Sequence, residues 1–268
     1  MHSVQDAKPA ELIVIDNGST DPSIEILRRH SGITLIENRE NLGFGRAANQ
    51  GFERSNSPYV LLLNVDTQAL PGSIEALEAY LEKNPSAAIA APQLLFPDGR
   101  LQPSCRRLPT VMNLALYLSY LDRLIPTDYR ISDRRHKSLM RVEQPMGAVL
   151  MIRKSAFEQL GAFDPRFSLY MEEVDLCKRM KDKGWEIWYL PEAKFIHHAG
   201  GSTSQDWERS QRAYFENVFR YFEKHSPDSG VRMLRIVLPP ALLLRALVLL
   251  VRGRFRQARF YFKQAFRI

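Results

Sequence analysis

Cysteine is almost missing from this chain: Cys105 and Cys177 are the two in 268 residues, far apart and in no metal-ligand spacing. That scarcity excludes a disulfide framework and a cysteine zinc site, and it fits a reducing compartment. The first ten residues offer no basic stretch followed by an apolar one, so no secretion signal is expected. Acid is missing too, at one end only. Nothing after Asp228 is Asp or Glu, while nine Lys and Arg follow from Arg232 to Arg267, so a whole-chain charge of +7 leaves −2 for the rest. The basic excess belongs to the tail, and no nucleic-acid partner is expected. An unbroken apolar run of about 20 residues, the length of a spanning helix, is also lacking. Residues 236–251 are apolar but interrupted by Arg245 and by Pro239 and Pro240.

What is present is an ordinary globular composition, 45% hydrophobic and 25% charged. It suffices for one α/β core of about 200 residues plus an appendage. Short apolar runs at 12–15, 33–36, 59–63, 87–91, 148–152 and 187–190 read as strands. Helical patterns at 23–30, 46–54, 72–84, 154–160 and 172–183 alternate with them. The alternation predicts an α/β, Rossmann-like, mostly parallel sheet flanked by helices, with ligands beyond the carboxyl ends of the strands. One such domain is expected over 1–228 and a helical tail over 231–268. Residues 103–141 form a basic, less regular insertion whose apolar stretch, 111–121, reads as a helix or a flap. At 100° per residue the tail gathers Arg245, Arg252, Arg256, Arg259, Lys263 and Arg267 into a narrow arc, with Phe255, Tyr261, Phe262 and many Leu elsewhere. A basic stripe beside an apolar surface suits an anionic membrane surface; a helix packed on the domain with a solvated Arg face is the plainer reading.

Four constellations carry chemistry. A buried strand ends in Asp16-Asn17-Gly18-Ser19, where a carboxylate can accept from a base N–H or ribose hydroxyls and Ser19 offers a donor; a simple strand-to-helix turn fits as well. A second apolar strand runs into Asn64-Val65-Asp66-Thr67. Residues two apart on a strand share a face, so Asn64 and Asp66 can meet one hard cation, while the plainer alternative is an Asx turn. Glu172, Glu173 and Asp175 crowd the start of a helix, where acids are common and where Asp175 can pair with Arg179. An acid in a pocket is also what deprotonating a sugar hydroxyl requires, and Glu173 is the expected base, with Asp175 orienting the network. Finally, an apolar run ends in His197-His198 before the turn Gly200-Gly201-Ser202. His197 at a strand end is the expected companion of Asp66 on a cation, and an imidazole shifts preference from Mg²⁺ toward Mn²⁺.

Gly43, Gly45 and Ala48 satisfy the G-x-G-x-x-A dinucleotide fingerprint, so an NAD-dependent oxidoreductase is a rival reading. Against it, residues 38–42 separate the strand from the first glycine, and Glu172, Glu173 and His197 would be left without a role.

Taken together, these segments resemble the family 2 glycosyltransferases of GT-A fold, in their bacterial rhamnosyltransferase-like branch. The likeness runs over about residues 11–204. It includes Asn41-Leu42-Gly43-Phe44-Gly45, Asn64-Val65-Asp66-Thr67, Pro97-Asp98-Gly99-Arg100-Leu101-Gln102-Pro103-Ser104, Gln144-Pro145-Met146-Gly147-Ala148 and Gly161-Ala162-Phe163-Asp164. The resemblance implies that Asp16, Asn17, Ser19, Asn41, Gly43, Asn49, Asn64 and Asp66 bind a nucleotide-diphosphate sugar. It implies that Asp66 and His197 hold a divalent metal, Mg or Mn, that Gly147 and Ala148 line the acceptor side, and that Glu173, with Glu172 and Asp175, does the catalysis. The implied reaction is inverting transfer to a glycan or lipid-linked acceptor in surface polysaccharide synthesis, in the cytoplasm at the inner face of the cell membrane.

Three departures go with it. Asn64 stands where an Asp is usual, and Glu173 stands where Asp is more frequent. The strand and helix that usually precede the segment matching Leu12 have no counterpart here, so a gap at the middle of the sheet is expected, and a non-catalytic relative is the alternative.

Overall fold

In the computed structural model the chain is described over residues 2–5, 9–125, 127–198 and 206–268; the glycine turn at 200–202 lies outside them. Two compact units form, one of Met1–Cys105 with Ile131–Asp206 and one of Arg106–Arg130 with Trp207–Ile268.

The first unit holds the sheets, save that the last residue of one short strand, Arg106, is the first of the second unit. Its strands are β1 (Ile13–Asn17), β2 (Thr34–Asn38), β3 (Tyr59–Leu63), β4 (Thr67–Ala69), β5 (Ala87–Leu95) and β6 (Leu101–Gln102). Then come β7 (Cys105–Arg106), β8 (Met140–Arg141), β9 (Gln144–Pro145), β10 (Val149–Arg153) and β11 (Glu186–His197). Its helices are α1 (His2–Gln5), α2 (Ser23–Arg28), α3 (Phe44–Arg54) and α4 (Ser73–Lys83), and, past a helix α5 described below, α6 (Lys154–Gln159) and α7 (Glu172–Asp182). The main sheet has the order β3-β10-β5-β11-β4, with β6 on β5 and β8 on β11.

The fold class is the expected one, a central sheet flanked by helices, but the sheet is mixed rather than mostly parallel. Only β5–β11 runs parallel in it; β10 lies antiparallel to both β3 and β5, and β4 antiparallel to β11. The alternation of strands and helices hides this, because β4 and β10 enter the sheet without a crossover helix of the kind that makes neighbours parallel. β1 and β2 pair in parallel with each other in a separate two-stranded sheet.

The core is legible in the side chains. Ala87, Ala88, Ala90 and Ala91 make the first part of β5 a small-residue strand, buried on both faces. Leu77 and Leu81 of α4, four apart and so on one helix face, pack on it with Phe195 of β11. Burying each such leucine contributes roughly 1.5–3 kcal/mol. Arg153, at the end of β10, donates to the carbonyls of Leu81, Asn84 and Ala87, tying the carboxyl end of α4 to the sheet.

The second unit is helical: α5 (Val111–Leu118), α8 (Trp207–His225), α9 (Asp228–Val251) and α10 (Phe255–Ala265). The stretch left open between helix and flap is a helix, started by a capping box between Thr110 and Asn113. α9 runs through Pro239 and Pro240 and across the boundary expected at 228–231. Its 24 residues make it, among the described residues, a helix long and apolar enough to cross a membrane, longer than the apolar run suggests.

Arg245 does not belong to a solvated basic stripe. Its guanidinium lies 4.2 Å from the ring centre of Tyr120 and 4.7 Å from that of Tyr261, and it donates to the Leu118 carbonyl at 3.0 Å. Helical periodicity cannot foresee this, because the partners come from elsewhere in the chain. The unit carries seventeen Lys and Arg against six Asp and Glu, a charge of +11 that leaves −4 for the first.

Candidate functional site

The carboxyl ends of β3, β5 and β11 leave the sheet on one side, and β10, running the other way, enters there. Asn64 follows β3 directly, and its N–H donates to the Ala148 carbonyl at 2.9 Å, seating Gly147 and Ala148 beside it. Thr67 closes the turn by donating from its hydroxyl (2.6 Å) and its N–H (3.2 Å) to the Asn64 carbonyl. The turn therefore holds Asp66 next to β4, which pairs with the end of β11 at Thr67 and His197.

That pairing brings His197 to Asp66: Nε2 lies 3.5 Å from Oδ1. The other ring nitrogen, Nδ1, is 2.9 Å from Oε1 of Gln102, which presents an acceptor, so Nδ1 carries the hydrogen and the Nε2 lone pair faces the carboxylate. Burial holds the imidazole below its ordinary pKa, against the opposing pull of Asp66. A neutral nitrogen and a carboxylate oxygen at this spacing, the ring fixed from behind by an amide, form a donor pair suited to a divalent cation. Among the described residues no cluster of three or more His, Cys, Asp and Glu surrounds it, so Asp66 and His197 are the two protein groups that would hold a cation here. Gln102 carried no separate signal in the sequence. It is visible only inside the segment Pro97 to Ser104 and acquires its role by the pairing of β6 with β5.

On the same side stands Glu173. A Cβ built on Gly147 would lie 3.5 Å from Cβ and Cγ of Glu173, so the glycine leaves the acid's flank open. Glu172 is buried, and its Oε2 has no hydrogen-bond partner. Burial, and next the neighbouring Glu173, push its carboxyl up to about 8. Asp175 is fully buried and bonds Nε of Arg179 at 2.8 Å, while the same guanidinium donates to the Leu160 and Ala162 carbonyls. Asp175 anchors α7, and Glu172 and Glu173 begin it.

Several other residues named from the sequence serve the local fold. Asp16 is buried and accepts from the Ser19 N–H at 3.2 Å, the turn foreseen as the plainer reading. Asn17 accepts from the Leu42 N–H and donates to Asn41, which accepts from the Gly43 N–H. The two amides bracket the glycine loop. The Asn49 amide donates to the Phe163 carbonyl and accepts from the Phe163 N–H, tying α3 to the segment ahead of α7. A sequence pattern cannot tell an amide aimed at a ligand from one that bridges to backbone 114 residues away.

The dinucleotide-like glycines also have local reasons. Gly43 holds φ at +88° with Ser168 against it, and the Phe44 N–H donates to the Ser168 carbonyl. A Cβ at Gly45 would stand 3.2 Å from Cβ of Phe163. The first two N–H groups of the loop are thus engaged within the protein, not held open for a pyrophosphate.

Comparison with known proteins shows the family and the fold. Residues 1–161 match the family model described as glycosyl transferase family 2. The N-acetylglucosaminyl-diphospho-decaprenol L-rhamnosyltransferase of Mycobacterium tuberculosis is 30% identical over 273 residues, 96% of this chain and 88% of that protein. A rhamnosyltransferase of Escherichia coli is 24% identical, over 80% of this chain and 82% of its own length. Among solved structures, the mannosyltransferase of Pyrobaculum calidifontis in complex with GDP-Man and Mn²⁺ shares the fold with a TM-score of 0.55 at 14% identity. That superposition covers 91% of this chain and 66% of the other. The oxidoreductase reading has no counterpart in these matches, and the chain is a glycosyltransferase: it belongs to glycosyl transferase family 2.

Proposed function

We propose that this protein transfers rhamnose or a related hexose, with inversion, from a nucleotide-diphosphate donor to a hydroxyl of a glycan or lipid-linked acceptor in cell-surface polysaccharide synthesis. The observation that carries the reading is the 3.5 Å approach of His197 to Asp66 at the end of the sheet where Gly147 faces Glu173. The names of the relatives, both rhamnosyltransferases, support the sugar, and the lipid diphosphate in the first name supports the acceptor class.

In this reading Asp66 and His197 hold a divalent metal, Mg or Mn. When bound, the metal neutralises charge that builds on the departing diphosphate. Glu173 takes the proton from the acceptor hydroxyl as its oxygen attacks the anomeric carbon; the C–O bond to the diphosphate breaks and the diphosphate leaves with the electron pair. Glu172, held protonated below about pH 8, keeps a second negative charge away from the base. Gly147 leaves room for the acceptor beside Glu173, and Gln102 keeps the His197 ring turned toward Asp66. Asp16, with Asn17, Ser19, Asn41 and Gly43 around it, is assigned to the nucleotide side, where these groups would meet the donor through the hydrogen-bonding capacity that their local bonds leave over. Catalysis resides in residues 1–228, in the cytoplasm at the inner face of the membrane.

The test is turnover by the full chain of dTDP-, UDP- and GDP-sugars with Mn²⁺ or Mg²⁺ and a lipid-diphosphate acceptor, followed by release of nucleotide diphosphate. Release with one donor, lost in Asp66→Ala, is the expected result. Donor binding without any turnover identifies a non-catalytic relative and overturns the proposal.

A further inference from the structure

Among the described residues, nothing within its own unit covers one apolar face of α9. Leu234, Leu238, Leu242 and Leu249 are buried, the side that packs on the rest of the unit. On another side Met233, Ile236, Leu243, Leu247 and Leu250 are exposed, at steps of 3, 7, 4 and 3 residues, with exposed Pro240 filling the long step. At 100° per residue these positions fall within roughly a third of the helix circumference, so they form one stripe. After the turn at Arg252 to Arg254, α10 and its C-cap continue the pattern with Phe255, Phe262 and Phe266, each more than half exposed. A helix on a soluble surface carries polar residues there.

The charges around this stripe indicate its occupant. Arg232, Arg235, Arg252, Arg254, Arg256, Arg259 and Lys263 are all exposed on these two helices or the turn joining them, Arg267 is exposed just past α10, and no acid follows Asp228. A second copy laid on the stripe would bring two units of charge +11 together, with no carboxylate on either tail to offset them. An anionic leaflet offers hydrocarbon to the leucines and phenylalanines and phosphate to the guanidinium groups just above them.

We propose that the helical unit docks on an anionic lipid surface, with the Ile236-Leu243-Leu247-Leu250 stripe and Phe255, Phe262 and Phe266 sunk at the acyl boundary and the flanking Arg and Lys at the headgroups. α9 lies in the plane of the membrane. It has the length to cross, but its opposite face is packed inside the unit, and Arg245 is fixed on it between Tyr120 and Tyr261. A crossing would strip those contacts away and leave the guanidinium in hydrocarbon. The proposal stands independently of which sugar is transferred.

The experiment is co-sedimentation of the full chain with vesicles of phosphatidylcholine alone and of phosphatidylcholine mixed with phosphatidylglycerol, at low and high salt. Expected are preference for the mixed vesicles, weakening by salt, and release by alkaline carbonate. The Leu243→Glu, Leu247→Glu double variant replaces exposed residues, so it keeps the wild-type melting temperature while its partitioning falls on the order of a hundredfold, about tenfold for each leucine. Equal binding to both vesicle types at every salt concentration, or unchanged partitioning of the variant, overturns the proposal. So does resistance to carbonate, which marks a spanning helix, or a dimer in sedimentation equilibrium that the variant dissolves, which marks a second copy as the occupant.

Discussion

Gly147 stands face to face with Glu173: a methyl group on the glycine would meet the acid's Cβ and Cγ at 3.5 Å, an ordinary van der Waals distance. The glycine's backbone is not in the left-handed region, so the fold itself does not require it. Gly147→Ala should therefore change stability by less than about 0.5 kcal/mol. The same methyl narrows the space where an acceptor hydroxyl must approach the base, and kcat/KM should fall on the order of tenfold or more. Thermal melts and acceptor-dependent kinetics on one preparation separate the two effects.

Glu172 makes stability depend on pH. Its folded pKa is raised from the ordinary 4.5 to about 8, by burial first and then by Glu173, so its contribution is fully present below 4.5 and is lost as pH climbs through about 8. Glu172→Gln removes that dependence. Melting curves across this range should show the wild type losing stability relative to the variant as pH rises; parallel curves would show that the buried carboxyl is not held protonated.

Asp175 and Arg179 hold the helix that presents the acids. Asp175 is completely buried, and the guanidinium it bonds also satisfies two backbone carbonyls. Removing the carboxylate leaves the half-buried guanidinium of Arg179 without its counter-charge and opens a cavity at a fully buried position, and Asp175→Ala should cost about 2–3 kcal/mol in urea unfolding. A loss of activity with stability intact would instead make Asp175 a participant in the chemistry.

Much of this was readable from residues in order. Apolar runs closing on Asp16, Asp66 and His197 give the strand ends, and the acids at the start of the 172–183 pattern give α7, because burial and helix polarity act locally. What was not readable depends on partners distant in sequence: Gln102 behind His197, Phe163 engaging both atoms of Asn49, and Tyr120 and Tyr261 around Arg245. Strand direction was hidden for a related reason. β4 and β10 are set by pairing across the sheet, and no period within either segment encodes the direction of its neighbour.

The glycine loop offers an internal comparison. Gly43 and Gly161 both have positive φ, +88° and +75°, but a Cβ at Gly43 would fall 2.6 Å from the Ser168 carbonyl oxygen, while at Gly161 nothing lies within 4 Å. Gly161→Ala should cost about 1 kcal/mol of backbone strain. Gly43→Ala should cost clearly more, because the 168–171 segment that leads into α7 must shift, and it should lower activity as well. Equal costs would show that the packing of Gly43 on Ser168 is not tight.

The assignment of Glu173 as the base is tested most directly by kcat of Glu173→Gln, measured beside nucleotide-sugar binding by the same sample. The account predicts a fall in kcat of about 10²–10⁴-fold, with donor affinity held within a few-fold. A Glu173→Gln enzyme that turns over at close to the wild-type rate contradicts it.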